Sequence, residues 1–428
     1  MIDSARNTSR ITMGMAIKEV LVIALIVLAY VVDVPVIILI GFALACLLVG
    51  FSNCEDSVYF LAFFTSFSGI FVYEGRHMFF VMVALFIIKF FLCNKISYKT
   101  IIYYLVIIVY SLLFCDVQGD FSFAKLIGLI LLFAVPVVGA YADRINCETF
   151  MKHYIFGFVL QTVMGFFVTK IPAMLELFET DLMWTADYQE LTRFFGLAFD
   201  SNFYALSNFI IVGYLLFAFK KLTIYRGIIL LFLGVSGFLT ISKSYVLIVG
   251  VFLIIFVVIR LMLPKRLLFA IVGVVVAVFV FLWVSDSIGY NAIDLVLSRF
   301  VWGGGFAENT TGRVGIWKEY LDIFMHANLK EFLFGFGFNA TVKQAAHNTF
   351  IEFLFYYGLI GFGIWVQYFW YCAKMFVHRT TEFSNKTPIV LLSFVIGCSF
   401  LSAYTYEAFW IGLVISFITL GKSKRISG

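Results

Sequence analysis

Apolar runs of 16 to 29 residues, divided by short polar breaks, fill most of this 428-residue chain. They lie at about 16–32, 35–51, 57–73, 77–93, 99–115, 122–141, 152–170, 199–219, 224–241, 244–262, 267–285, 347–375, 388–403 and 405–421. About 20 apolar residues span a bilayer as a helix. The pattern therefore predicts an all-α, polytopic integral membrane protein of about 12–14 transmembrane helices, folded as a single domain over residues 1–428. Two segments break the rhythm, 170–199 and 285–346. Loops longer than about 15 residues are usually functional or disordered, and the aromatic and apolar content of these two argues against disorder. The second carries a helical pattern near 312–325 that reads as an amphipathic surface helix.

Composition sharpens the class. The chain is 63% hydrophobic and 13% charged, with 54 Phe, where a soluble domain carries about 25% charged residues. Assigning the N-terminus to the cytoplasm puts 19 of the 30 Lys and Arg on the cytoplasmic side. Both termini are then cytoplasmic and both long loops face outward. The net charge of +5 is a topology signal and gives little reason to expect nucleic acid as a partner. The seven cysteines show no CxxC or Cys/His spacing, so neither disulfides nor a metal site is expected. No cleavable signal pattern precedes the first span. No P-loop or dinucleotide fingerprint occurs, and no cofactor is expected.

The outward segments hold the candidate chemistry. In "ENTTGRVGIWKEYLDIF" (308–324), Thr310 and Thr311 can cap a helix whose apolar positions are Val314, Trp317, Tyr320, Leu321 and Phe324. Arg313 falls in the first turn. It reads either as a solvated surface residue or, with the helix N–H groups, as half of an anion site. Gly335 and Gly337 allow a tight turn or a close backbone approach. Thr349 and Glu352 form a capping box that starts the next span, with Asn348 and Thr349 as capping groups. Gly358, Gly361 and Gly363 read as packing positions within that span.

His347 sits one step outside the cap. The adjacent helix N-terminus disfavours its protonated form, which leaves a neutral imidazole able to act as a base. A lone histidine read this way is otherwise structural. In the first loop, Arg193 lies between the spans beside Phe194 and Phe195, and Asp200 and Ser201 can cap the helix carrying Asn202. Lys243 occupies a tight outward turn, where interface snorkelling is the better account of a lysine taken alone. Arg193, Lys243 and Arg313 could together surround one anionic head group, the arginines gripping two oxygens at once.

These stretches carry a family pattern. "TRFFGLAFDSNFYA", "LTISKSY", "TGRVGIW", "FGFGFN" and "AHNTFIEFLFYYGLIG" occur in the order seen in the O-antigen ligase and polymerase family, over roughly residues 185 to 365. The chain resembles that family, whose members are bacterial integral-membrane glycan polymerases and ligases. The resemblance implies a GT-C-like helical fold with an outward cavity between the two long loops. It implies a substrate carried on undecaprenyl diphosphate and a metal-independent, inverting glycosyl transfer, with a chain-length regulator as a further partner. By match to the motifs, Arg193, Arg313 and Lys243 would hold the diphosphate, His347 would take the acceptor proton, and Asn202 and Asn348 would support them. One departure stands out: the family usually has Arg after Ser in the "T-x-S-R" turn, where this chain has Lys243. A lysine keeps the charge and loses the bidentate fork.

The expected activity is repeat-unit polymerisation at the outer face of the bacterial inner membrane, producing O-antigen, capsule or exopolysaccharide. A ligase transferring glycan to lipid A core is the alternative within the family. A lipid-linked oligosaccharide flippase is the alternative outside it. Transporters tend to carry ionisable groups near the midplane, and Lys89 is the only Lys or Arg read well inside a span.

Overall fold

The computed structural model describes residues 13–93, 97–116, 120–141, 144–178, 193–198, 200–218, 223–240, 242, 245–246, 248–250, 252, 313–338, 340, 342, 345–377, 380–381, 388–404, 406–419 and 422–423. The described chain is almost wholly helical. In order come α1 (Met13–Val31), α2 (Pro35–Phe51), α3 (Cys54–Thr65), α4 (Phe79–Cys93), α5 (Tyr98–Phe114), α6 (Asp120–Tyr141), α7 (Cys147–Gly165) and α8 (Pro172–Leu177). They are followed by α9 (Ser201–Phe217), α10 (Ile224–Leu239), α11 (Arg313–Met325), α12 (Leu329–Phe334), α13 (Thr349–Val377), α14 (Pro388–Cys398) and α15 (Glu407–Thr419). A two-residue antiparallel hairpin, β1 (Val72–Tyr73) and β2 (Arg76–His77), leads into α4. Two helices, Met13–Val31 and Thr349–Phe376, are long and apolar enough to cross a membrane; α2, α4, α5, α9, α10 and α15 are apolar but shorter. The segments predicted as spans at 244–262 and 267–285 fall largely outside the described residues, as do 285–312 of the second long loop.

Most predicted spans find a helix, and the differences have local causes. The run at 57–73 ends as α3 at Thr65, because Ser66, Ser68 and Gly69 interrupt it before the hairpin. The run at 152–170 begins five residues earlier, as α7 at Cys147, because the Asn146 side chain accepts the Thr149 N–H and caps it there. Buried aromatic residues fill the bundle, Phe60, Phe63, Phe64, Phe158, Phe209 and Trp410 among them. Apolar stripes also face outward: Ile102, Leu105, Val109 and Leu112 on α5, and Ile224, Ile228 and Leu231 on α10. A helix that is apolar on both faces is suited to protein on one side and hydrocarbon on the other.

A polar network ties α7, α9 and α10 together. The Tyr204 hydroxyl donates to Ser236 Oγ at 2.8 Å and lies 2.9 Å from Thr162 Oγ1, while Asn208 Nδ2 donates to Leu233 O at 2.9 Å. Every member has a partner, so the network fixes these helices without leaving a buried polar group exposed to hydrocarbon.

The 349–377 helix is broken at Gly358, whose φ of 66° and ψ of −175° are not helical. A break frees carbonyls, each costing several kcal/mol in an apolar setting if left without a donor. Here three are satisfied. Phe336 N–H donates to Phe355 O at 3.0 Å, Gly337 N–H to Tyr356 O at 3.1 Å, and the Tyr110 hydroxyl to Tyr357 O at 2.7 Å. The contact needs two glycines. A Cβ on Gly335 would lie 2.2 Å from Tyr356 O, and one on Gly358 would lie 2.3 Å from Gly335 N. Gly358 is thus a hinge in the backbone where packing alone was expected, and a Cβ on Gly363 would meet open space. Gly361 does pack, against Tyr110 and Tyr357.

Ionisable groups inside the bundle go beyond Lys89. Glu19 on α1 and His153 on α7 meet at 2.5 Å with both side chains fully buried, and Tyr59 stacks on the imidazole. Lys89 itself is tied by its ammonium to Val49 O, Ser52 O and Ser57 Oγ.

Candidate functional site

Arg193 enters the described chain just before α9. Its Nε donates to Thr240 O at 2.9 Å, at the end of α10, and its Nη2 donates to Asn202 Oδ1 at 3.1 Å. The flanking aromatics hold the backbone: Phe194 stacks on Phe166 at 4.5 Å, and Phe195 packs on Phe178 at 5.1 Å. Gly196, at φ 61°, lets the chain cross the end of α7, where a Cβ on Gly165 would lie 2.5 Å from Gly196 Cα. Asp200 then caps α9 by accepting the Asn202 N–H. Arg193, Asn202 and the start of the "LTISKSY" turn are therefore one assembly. Lys243 lies outside the described residues.

Arg313 is the first residue of α11; Thr310 and Thr311, its expected caps, lie outside the described residues. Its Nη1 donates to Phe400 O at 3.1 Å. One turn on, Trp317 Nε1 donates to Ala346 O at 2.8 Å, which pins α11 to the residue before His347. Tyr320 packs on Phe355 and Phe324 on Phe332, so α11 lies on α12 and α13. Leu321, expected on the same apolar face, is 42% exposed.

His347 has φ 49°, a left-handed conformation uncommon for a residue with a side chain. That turn leaves Asn348 to cap α13, its Oδ1 accepting Phe350 N–H at 3.0 Å and Ile351 N–H at 3.1 Å. The expected Thr349–Glu352 capping box is absent because both side chains turn to the 399–406 connection. Thr349 Oγ1 donates to Leu401 O at 2.6 Å and accepts from Ala403 N at 3.0 Å, and the Ser402 hydroxyl donates to Glu352 at 2.5 Å. Together with Arg313 on Phe400, this makes "FLSAY" (400–404) the third wall of the site. The run predicted at 388–403 takes in all of it but Tyr404, whereas α14 ends at Cys398 and leaves 400–404 as a connection.

The electrostatics centre on His347. Its side chain is exposed to solvent and only partly enclosed by its neighbours. That partial burial pushes its pKa below the usual value of 6.5, the Arg313 charge pushes it further down, and the Asp200 carboxylate opposes both. Arg313 and Asp200 thus each lie within electrostatic reach of His347, and Asp200 adjoins the Arg193–Asn202 pair. Asp200 was read only as a cap; its charge partnership crosses about 150 residues of sequence and left no local pattern. Among the described residues no group of three His, Cys, Asp or Glu could hold a metal ion.

No protein-family model matches the chain, and neither a curated protein nor a solved structure matches it.

Proposed function

We propose that this chain is a polytopic membrane glycosyltransferase that polymerises oligosaccharide repeat units carried on undecaprenyl diphosphate. Its helices would form a GT-C-like membrane domain in a bacterial inner membrane, with both termini cytoplasmic and the site facing outward. The apolar stripes facing away from the bundle and the cytoplasmic Lys and Arg bias support that placement. The observation that carries the reading is His347 at the mouth of α13, its pKa lowered by partial burial and by Arg313, with Asp200 also within electrostatic reach.

The acceptor sugar hydroxyl attacks the anomeric carbon of the lipid-linked chain, and its proton passes to the His347 imidazole. The bond from that carbon to the diphosphate oxygen breaks, and the electron pair leaves with the lipid diphosphate. Arg313 and Arg193 stabilise the negative charge that builds on the leaving group, which favours the transition state over the ground state. Asp200 offsets the imidazolium that results. An imidazole serves best as general base when its pKa lies near the working pH, where it is largely neutral and still basic enough to take the proton. Lys243, with a single point charge, would supplement the two arginines.

The test is transfer by the purified chain in detergent, supplied with lipid-linked repeat units. Polymer is the expected product; transfer to lipid A core instead would assign the ligase activity. One observation favours the flippase reading: the buried Glu19–His153 pair places exchangeable protons inside the bundle, as proton-driven carriers do. Detergent removes any transport, so formation of a glycosidic bond there separates enzyme from carrier.

A further inference from the structure

A second polar site lies within the bundle, apart from His347. The C-terminal end of α3, the outer turns of α7, the start of α9 and the start of α15 enclose a cavity of about 40 Å³. Glu407, Ser66, Ser68, Gln161, Tyr154 and Tyr406 supply its polar lining, and no Lys, Arg or His is among the lining residues. The Ser68 hydroxyl lies within reach of the Glu407 carboxylate. Gln161 Oε1 accepts the Leu197 N–H at 3.4 Å. Ser66 is 8% exposed, and its Oγ has no hydrogen-bond partner. A buried hydroxyl without a partner at a cavity wall is costly, by about 1–3 kcal/mol, and calls for an occupant.

We propose that this cavity binds one monovalent cation, with Glu407 supplying the charge and Ser66, Ser68 and Gln161 supplying neutral oxygens. Size comes first: 40 Å³ holds a few water-sized bodies and excludes a sugar ring. Ligand type comes second: the polar groups set among the cavity's apolar lining (Phe158, Leu197, Phe203) offer oxygen ligands, which suit a hard cation. Charge count comes third. One carboxylate balances a monovalent ion, whereas a divalent ion would leave a net positive charge buried in the bundle. Helix direction agrees on both sides. Glu407 opens α15, where the positive helix end favours an ionised carboxylate, and Ser66 ends α3, where the negative end favours a cation.

Sodium is the probe. Thermal unfolding of the full chain in detergent is followed as NaCl replaces choline chloride at constant ionic strength. The midpoint should rise saturably by a few degrees, and Glu407→Gln should abolish the rise. Ser66→Ala removes one ligand and keeps the charge; it should raise the half-saturating sodium concentration about tenfold, and it covers the case in which Glu407→Gln fails to fold. Three results would each overturn the site: equal midpoints in sodium and choline, a sodium response that survives Glu407→Gln or is unchanged in Ser66→Ala, or a midpoint that follows pH but not sodium. The readout needs no glycan, so it stands or falls independently of glycosyl transfer.

Discussion

At the residue scale the site rests on one imidazole and the charges around it. His347→Ala removes the proton acceptor and should cut transfer by about 100- to 10,000-fold, with protein level and membrane insertion unchanged. Normal polymer from that variant would take His347 out of the mechanism. The pKa of His347 gives a sharper handle because its two charged neighbours pull in opposite directions. Catalysis needs the neutral ring, so activity is full above the lowered pKa and falls as pH drops through it, at a pH below 6.5. Removing the Arg313 charge, as in Arg313→Gln, should raise the His347 pKa; removing the Asp200 charge, as in Asp200→Asn, should lower it further. Titration of ¹⁵N-labelled histidine in the purified chain, with the His347 signal identified by its loss in His347→Ala, reads both shifts. Shifts of the same sign in the two variants would refute this arrangement. Arg193→Lys tests the fork instead. Losing the paired bonds to Thr240 O and Asn202 should reduce transfer about tenfold or more.

At the element scale, the ends of helices matter more than their middles. Asn348→Ala leaves two N–H groups of α13 without their acceptor and should lower stability by about 1 kcal/mol. Gly358→Ala is more severe. A side chain at φ 66° costs about 1–3 kcal/mol by itself, and its Cβ would press within 2.6 Å of the Leu333 and Gly335 backbones. The thermal midpoint in detergent should fall well beyond that of Asn348→Ala; an unchanged midpoint would show that α13 tolerates a continuous helix there. Much of this scale was readable from sequence. Apolar runs locate most helices, and Asp200 was recognisable as a cap by its place before an apolar run. The Gly358 hinge was not readable, because its need for glycine comes from the "GFGF" backbone docking on it from 20 residues upstream. The cap of α13 was readable in part: Asn348 was named among its capping groups and does cap, whereas Thr349 and Glu352 satisfy the capping-box pattern and are drawn away by partners at 400–404.

At the scale of the whole molecule, chain order hides the site. Arg193, Asp200, Arg313, His347 and the 400–404 turn span more than 200 residues, and the bundle gathers them at one end. Motif order could nominate Arg193, Arg313 and His347, but Asp200 was legible only as a cap, and no periodicity points to the turn. The Glu19–His153 contact escaped for the same reason, since Glu19 beside Lys18 and His153 beside Lys152 carry no local sign of their pairing across 134 residues. The most direct measurement is glycosyl transfer by the purified chain in detergent, with lipid-linked repeat units as both donor and acceptor. Wild-type chain should produce a ladder of polymer, and His347→Ala should reduce it by about 100-fold or more. An absence of any glycosidic bond formation by folded wild-type chain, or an equal ladder from the variant, would contradict a His347-centred transferase.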